Sequence, residues 1–160
     1  MIEPLDRRRL LAGMGAAGII GIASPALAFQ GPAGGFVMWR DPGCGCCIAW
    51  AKRIEQAFGR KLPVVDTGAM AAVKRARGVP DDLHSCHTAL IGGYAIEGHV
   101  PPADIQRLIR SRSKAIAGLA VPGMPAGSPG MDVGHNRKQP YKVIAFARGG
   151  RGRSVFASHG

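Results

Sequence analysis

All four cysteines of this 160-residue chain fall in two tight groups, Cys44-Gly45-Cys46-Cys47 and Cys86 followed at once by His87. Three thiols in four residues cannot be a set of ordinary core side chains, because the backbone cannot bury them all one way. Nor are neighbouring Cys46 and Cys47 placed to pair with each other, since a disulfide needs Cβ atoms that face at close range. Two chemistries fit the grouping. One is a mononuclear or multinuclear thiolate metal site; the other is a redox dithiol built on Cys44-x-x-Cys47.

The pattern around the thiols indicates how the fold carries them. Phe36-Val37-Met38-Trp39 is a short apolar run expected as a buried strand, and Asp41-Pro42-Gly43 punctuates it. From Cys47 onward Ile48, Trp50, Ala51, Ile54 and Phe58 recur at spacings of three and four, which predicts a helix stopped by Gly59. Leu62 to Asp66 reads as a second strand, and Ala69 to Arg77 as a smaller helix ended by Gly78. Strand-like runs from Thr88 to Ile91 and from Tyr94 to Glu97 around Gly92-Gly93 predict a β-hairpin. Pro101-Pro102 opens a further helix through Ile105, Leu108 and Ile109. Gly118 to Gly134 reads as one long Gly/Pro-rich loop, and a segment of that length in a compact domain is usually functional or disordered. Tyr141 to Ala147 and Ser154 to Ala157 supply a last hairpin, with Arg148-Gly-Gly-Arg-Gly-Arg153 as its turn rather than as an RGG nucleic-acid element. This order is that of an α/β, thioredoxin-like domain, a mixed central sheet flanked by helices. There the first strand ends at the cysteines and the helix N-terminus favours a thiolate at Cys47.

The first residues read as an export signal. Arg7, Arg8 and Arg9 form a basic head, Leu10 to Ile22 is apolar but diluted by glycines, and Ala26-Leu27-Ala28 supplies a small-x-small cleavage site after Pro25. The run is shorter than the roughly 20 residues of a membrane span, so no integral span is expected after cleavage. Asp6-Arg7-Arg8-Arg9-Leu10-Leu11 resembles a twin-arginine signal, a route that carries folded proteins. The expected organisation is thus a cleaved signal over 1–28, a linker over 29–35 and one domain over 36–157, in a bacterial periplasm. Removing three arginines, Glu3 and Asp6 takes away a net +1, leaving +10 of the formal +11. An exported protein rarely meets nucleic acid, so none is expected as a partner, and the basic balance fits a soluble surface near anionic lipid or acidic proteins.

Thiolate, imidazole and thioether together select Cu(I), with Zn²⁺ as the generic alternative. The candidate ligands are Cys44, Cys46, Cys47, Cys86, His87, His99, Met124 and Met131. One knuckle with three thiols and another with Cys86-His87 is an unusual arrangement for a tetrahedral zinc site. Packed thiols are better suited to bridging several Cu(I) ions. Each residue also has a plainer reading: Cys44 and Cys47 as an exported disulfide, His87 as a hairpin hydrogen-bonder, His99 as a helix cap, and both methionines as loop packing. Glu97 reads as structural, and His84, His135 and His159 as solvated loop histidines.

Several longer motifs are specific. Cys44-Gly-Cys-Cys47 with Trp50, Ser85-Cys86-His87-Thr88, Gly93-Tyr94, Glu97-Gly98-His99-Val100-Pro101 and Gly118-Leu-Ala-Val-Pro-Gly-Met-Pro-Ala-Gly-Ser-Pro-Gly-Met131 resemble the CopG-type copper-resistance family of exported proteins. (The DNA-binding repressor of the same name is unrelated.) The match runs from about Phe36 to Phe146. The resemblance implies a thioredoxin-like fold that binds copper through clustered cysteines, with a role in copper handling and in converting Cu(I) and Cu(II). It carries over to Cys44, Cys46, Cys47 and Cys86, to His87 and His99, and to Met124 and Met131. Copper ions, and other periplasmic copper-handling proteins, are the partners it implies. A thiol–disulfide oxidoreductase using Cys44 and Cys47 is the rival reading. Against it stand the extra Cys46, and His87-Thr88 where such enzymes place a proline. Neither reading decides from sequence whether the protein turns over as an enzyme.

Overall fold

The computed structural model describes residues 35–132 and 139–160. The expected export signal, and His135, lie outside the described residues. Among the described residues seven strands form one mixed sheet: β1 (Phe36–Arg40), β2 (Val64–Asp66), β3 (His87–Ile91), β4 (Tyr94–Glu97), β5 (Ile116–Ala120), β6 (Tyr141–Ala147) and β7 (Arg153–His159). Their spatial order is β2-β1-β3-β4-β5-β6-β7, parallel at β1–β2 and β4–β5 and antiparallel elsewhere. Among the described residues three α-helices accompany the sheet: α1 (Gly45–Phe58), α2 (Met70–Ala76) and α3 (Pro102–Ser111). The strand–cysteine turn–helix opening expected from the sequence is present, and the element order is compatible with a thioredoxin-like layout.

Period-2 alternation sorts the sheet residues between two layers. Met38, Ala89, Ile91 and Ile96 face a core shared with Trp50, Ile54, Ile105 and Leu108, so α1 and α3 cover this side. Val37 and Trp39 face the other way, against Met70 and Val73 of α2. The apolar stripe of α1 that was legible at spacings of three and four is the buried one: Cys47, Trp50, Ala51 and Ile54. Trp50 is fully buried, and its indole Nε1–H donates to the Val100 carbonyl at 2.9 Å, which ties α1 to the segment leaving β4.

One expectation is corrected. The Gly/Pro-rich segment is not a loop from Gly118: Ile116–Ala120 is β5, an interior strand between β4 and β6. Its glycine is what disguised it. A Cβ on Gly118 would stand 2.0 Å from the Ala95 carbonyl oxygen and 2.5 Å from the Phe146 ring, so the strand fits only where the side chain is absent. The loop proper begins at Val121.

Candidate metal centre

The thiols sit where β1 runs out. Arg40, the last residue of β1, turns its guanidinium onto the chain ahead: Nη1 donates to the Cys44 carbonyl at 2.8 Å, and Nε lies 2.8 Å from Asp66. This clamps the start of α1, whose Cys44 cap makes no side-chain capping bond. Cys46 and Cys47 then fall in the first helical turn. Cys44 and Cys47 are joined as a disulfide, and the Cys46 sulfur lies 3.5 Å from that of Cys44. Cys46 and Cys86 are free thiols. Cys86 arrives from the segment ahead of β3, its carbonyl 3.9 Å from the Cys47 sulfur. All four sulfurs lie within 4.8 Å of one another.

A second set shares Cys86. Its sulfur lies 3.3 Å from Nδ1 of His87 and 3.1 Å from Nε2 of His99, so the ligand atoms of these three also gather within 4.8 Å. The tautomer of His99 is fixed by its other nitrogen. Nδ1 lies 2.8 Å from the Pro129 carbonyl, which can only accept, so Nδ1 carries the proton and the Nε2 lone pair faces the sulfur. His87 is fully buried, its ring tilted against that of Trp50 at 4.4 Å between centroids, and among the described residues its Nε2 has no hydrogen-bond partner.

Burial sets the charge state of the site. It holds His87 well below the ordinary imidazole range, helped by His99 and Lys74, and it lowers His99 as well. Both rings are therefore neutral, the form that donates a lone pair to a metal. Burial, reinforced by Cys46, pushes the Cys86 thiol up to about 12, so this sulfur stays protonated unless a cation takes the proton's place.

The loop after β5 lies on the site. The Pro129 carbonyl accepts from His99 Nδ1–H, Asp132 pairs with Arg53 of α1 at 2.6 Å, and Ser85 Oγ donates to the Gly123 carbonyl. Gly130 has φ +89°, and a Cβ there would stand 2.8 Å from the Trp50 amide and 2.9 Å from the Cys46 carbonyl. The loop thus rests directly on the first turns of α1. Met131 is half-buried within it and Met124 is 53% exposed.

Six of the eight candidate ligands, Cys44, Cys46, Cys47, Cys86, His87 and His99, are brought together. Three participants were not foreseen: the Arg40 clamp, the Pro129 carbonyl, and Glu97 with Lys74 behind Cys86. Of these Glu97 and Pro129 stand in the motifs quoted above, Glu97 there read as structural, while Arg40 and Lys74 carried no signal. His159 is not a solvated loop histidine. It lies on β7, 2.7 Å from buried Asp104 and stacked on Tyr141.

Four sulfurs and two neutral imidazoles at the strand ends of an α/β domain define a class, small proteins with a soft-ligand metal site. The chain belongs to the family of copper resistance protein CopG. Two solved structures of copper resistance protein copG carry this. Form 2 is 43% identical, covering 78% of this chain and 97% of its own, at a TM-score of 0.71. Form 1 is 45% identical, covering 78% and 95%, at a TM-score of 0.70. Residues 83–131 also match the family described as protein of unknown function, DUF411. None of the curated proteins compared with the chain matches it.

Proposed function

We propose that the protein binds copper as cargo, for copper resistance or homeostasis, holding Cu(I) among Cys44, Cys46, Cys47 and Cys86 with His87 and His99 alongside. The observation that carries this reading is the gathering of four sulfurs within 4.8 Å, with a second thiol–imidazole group sharing Cys86. One metal ion needs only three or four such ligands, so six donors in two overlapping groups suit more than one ion. The names of the CopG relatives support copper over zinc. Met124 and Met131 sit on the loop that rests against α1, and a thioether there would cap Cu(I) while adding little for Cu(II) or Zn²⁺. Such a site also suits interconversion of Cu(I) and Cu(II). The twin-arginine-like head supports export to the periplasm, with other copper-handling proteins there as partners, and among the described residues no helix is long and apolar enough to cross a membrane.

The Cys44–Cys47 disulfide favours a second reading, thiol–disulfide exchange. The two readings are linked, since the disulfide must take up two electrons and two protons from a thiol reductant before both sulfurs can bind metal. Anaerobic titration of the reduced protein with Cu(I), against a competing chelator, separates them. More than one ion per chain is expected, with Cys46→Ser losing stoichiometry as severely as Cys44→Ser. A limit of one ion or tighter Zn²⁺ binding would overturn the copper cluster, and full copper retention by Cys46→Ser would favour the dithiol.

A further inference from the structure

The sheet face behind the metal centre carries a second buried polar group of a different kind. Arg40 opposes His87 and Trp39 opposes Thr88, so His87 lies on the α1 side while Thr88 and its partner Glu97 lie on the α2 side. There Lys74, from α2, places Nζ 2.5 Å from Glu97 Oε1. The two residues are 6% and 0% exposed. Lys74 also donates to Thr88 Oγ1 at 3.2 Å and to the Ser85 carbonyl at 3.0 Å. Glu97 accepts from the Ser85 amide at 2.6 Å and from the Thr88 hydroxyl at 2.7 Å. The ion pair therefore grips both backbone polar groups of a single residue, the one before Cys86.

That position needs gripping. Cys86 precedes the first residue of β3, so no ladder hydrogen bond of the sheet fixes it. A buried ion pair is also a poor stability device, because desolvating two charges offsets most of their attraction, and apolar replacements are often neutral or better. What two leucines could not do is bind one residue's N–H and C=O together.

We propose that Lys74 and Glu97 are positioning residues for the metal centre, which through Ser85 hold the Cys86 sulfur in reach of the other three sulfurs and both imidazoles. The proposal rests on the reading of Cys86 as a copper ligand. Its physical content, the placement of Cys86, does not need the metal to be tested.

The test replaces both charges at once, so that neither is left buried alone. Lys74→Met/Glu97→Leu is compared with wild type by thermal unfolding, by Cu(I) competition, and by site-resolved alkylation of Cys86 in reduced, metal-free protein. The expected result is a folded protein whose melting temperature falls less than that of Glu97→Ala, since no charge is left buried alone, with Cu(I) held about 10-fold or more less tightly and faster alkylation of Cys86. Lys74→Met/Glu97→Gln returns an acceptor to the Ser85 amide and should recover part of both losses, which a purely structural role would not produce. A folded double variant with wild-type copper affinity and wild-type Cys86 reactivity overturns the proposal. Should the Leu variant not fold, the Gln variant carries the test alone, with weakened copper binding and faster alkylation expected and wild-type values in both overturning it. If wild type binds no copper, the copper reading fails while the alkylation comparison still decides the placement of Cys86.

Discussion

The two polar groups on either side of the sheet end are both buried, yet they are built to opposite rules. Behind the sheet, Lys74, Thr88, Glu97 and the Ser85 backbone satisfy one another. In front, His87 leaves Nε2 without a partner among the described residues, His99 aims a lone pair at a thiol, and Cys86 holds a proton it would release only to a cation. A buried polar group without a partner costs free energy, so a fold tolerates one where something else supplies the partner. The closed network reads as scaffold and the open one as site. Charge follows the same division: the closed side keeps an ion pair, whereas the open side is neutral until a metal enters.

The sharpest way to break this comparison is to open the closed side. Glu97→Ala leaves the Lys74 ammonium and the Ser85 amide buried without their partner, and unfolding should become easier by about 3–5 kcal/mol. Chemical denaturation checks it, and a loss below about 1 kcal/mol would mean that water replaces the carboxylate.

Protonating the open side is a milder insult. Folding holds the His87 imidazole below its ordinary value of 6.5, so the unfolded chain binds more protons than the native one as pH falls through that value. His87 therefore costs nothing above pH 6.5 and destabilises the metal-free protein increasingly below it. Glu97, raised from its ordinary 4.5 by burial, works in the opposite sense, so the effect is read as the difference between wild type and His87→Gln. Wild type should lose stability relative to the variant as pH drops below 6.5. Parallel pH profiles would show that His87 is not held neutral.

The smallest expected change in stability comes from the loop. Met124→Leu/Met131→Leu keeps bulk and apolarity and should cost roughly 1 kcal/mol or less. Cu(I) affinity or reduction potential should still shift if a thioether caps the site. Wild-type values in both quantities would leave the methionines as packing and the ligand set as cysteine and histidine alone.

Local patterns determined much of this protein without help. The 3.6-residue stripe from Cys47 to Phe58, the Gly92-Gly93 turn and Pro101-Pro102 each act over a few residues, so α1, the β3–β4 hairpin and α3 were legible. So was the clustering of soft side chains, because three thiols in four residues have few uses, and six of the eight candidate ligands lie together. Tertiary structure alone decided the rest. Gly118 is a strand residue because Ala95 and Phe146 crowd it, a contact invisible in a run that reads as loop. Lys74 and Glu97 lie 23 residues apart, and nothing local in the α2 sequence marks its lysine as buried. The Pro129 carbonyl fixes the His99 tautomer only because the loop folds back onto α1. Sequence sets which atoms can donate or accept; packing sets which of them find a partner, and it leaves the His87 Nε2 without one among the candidate ligands.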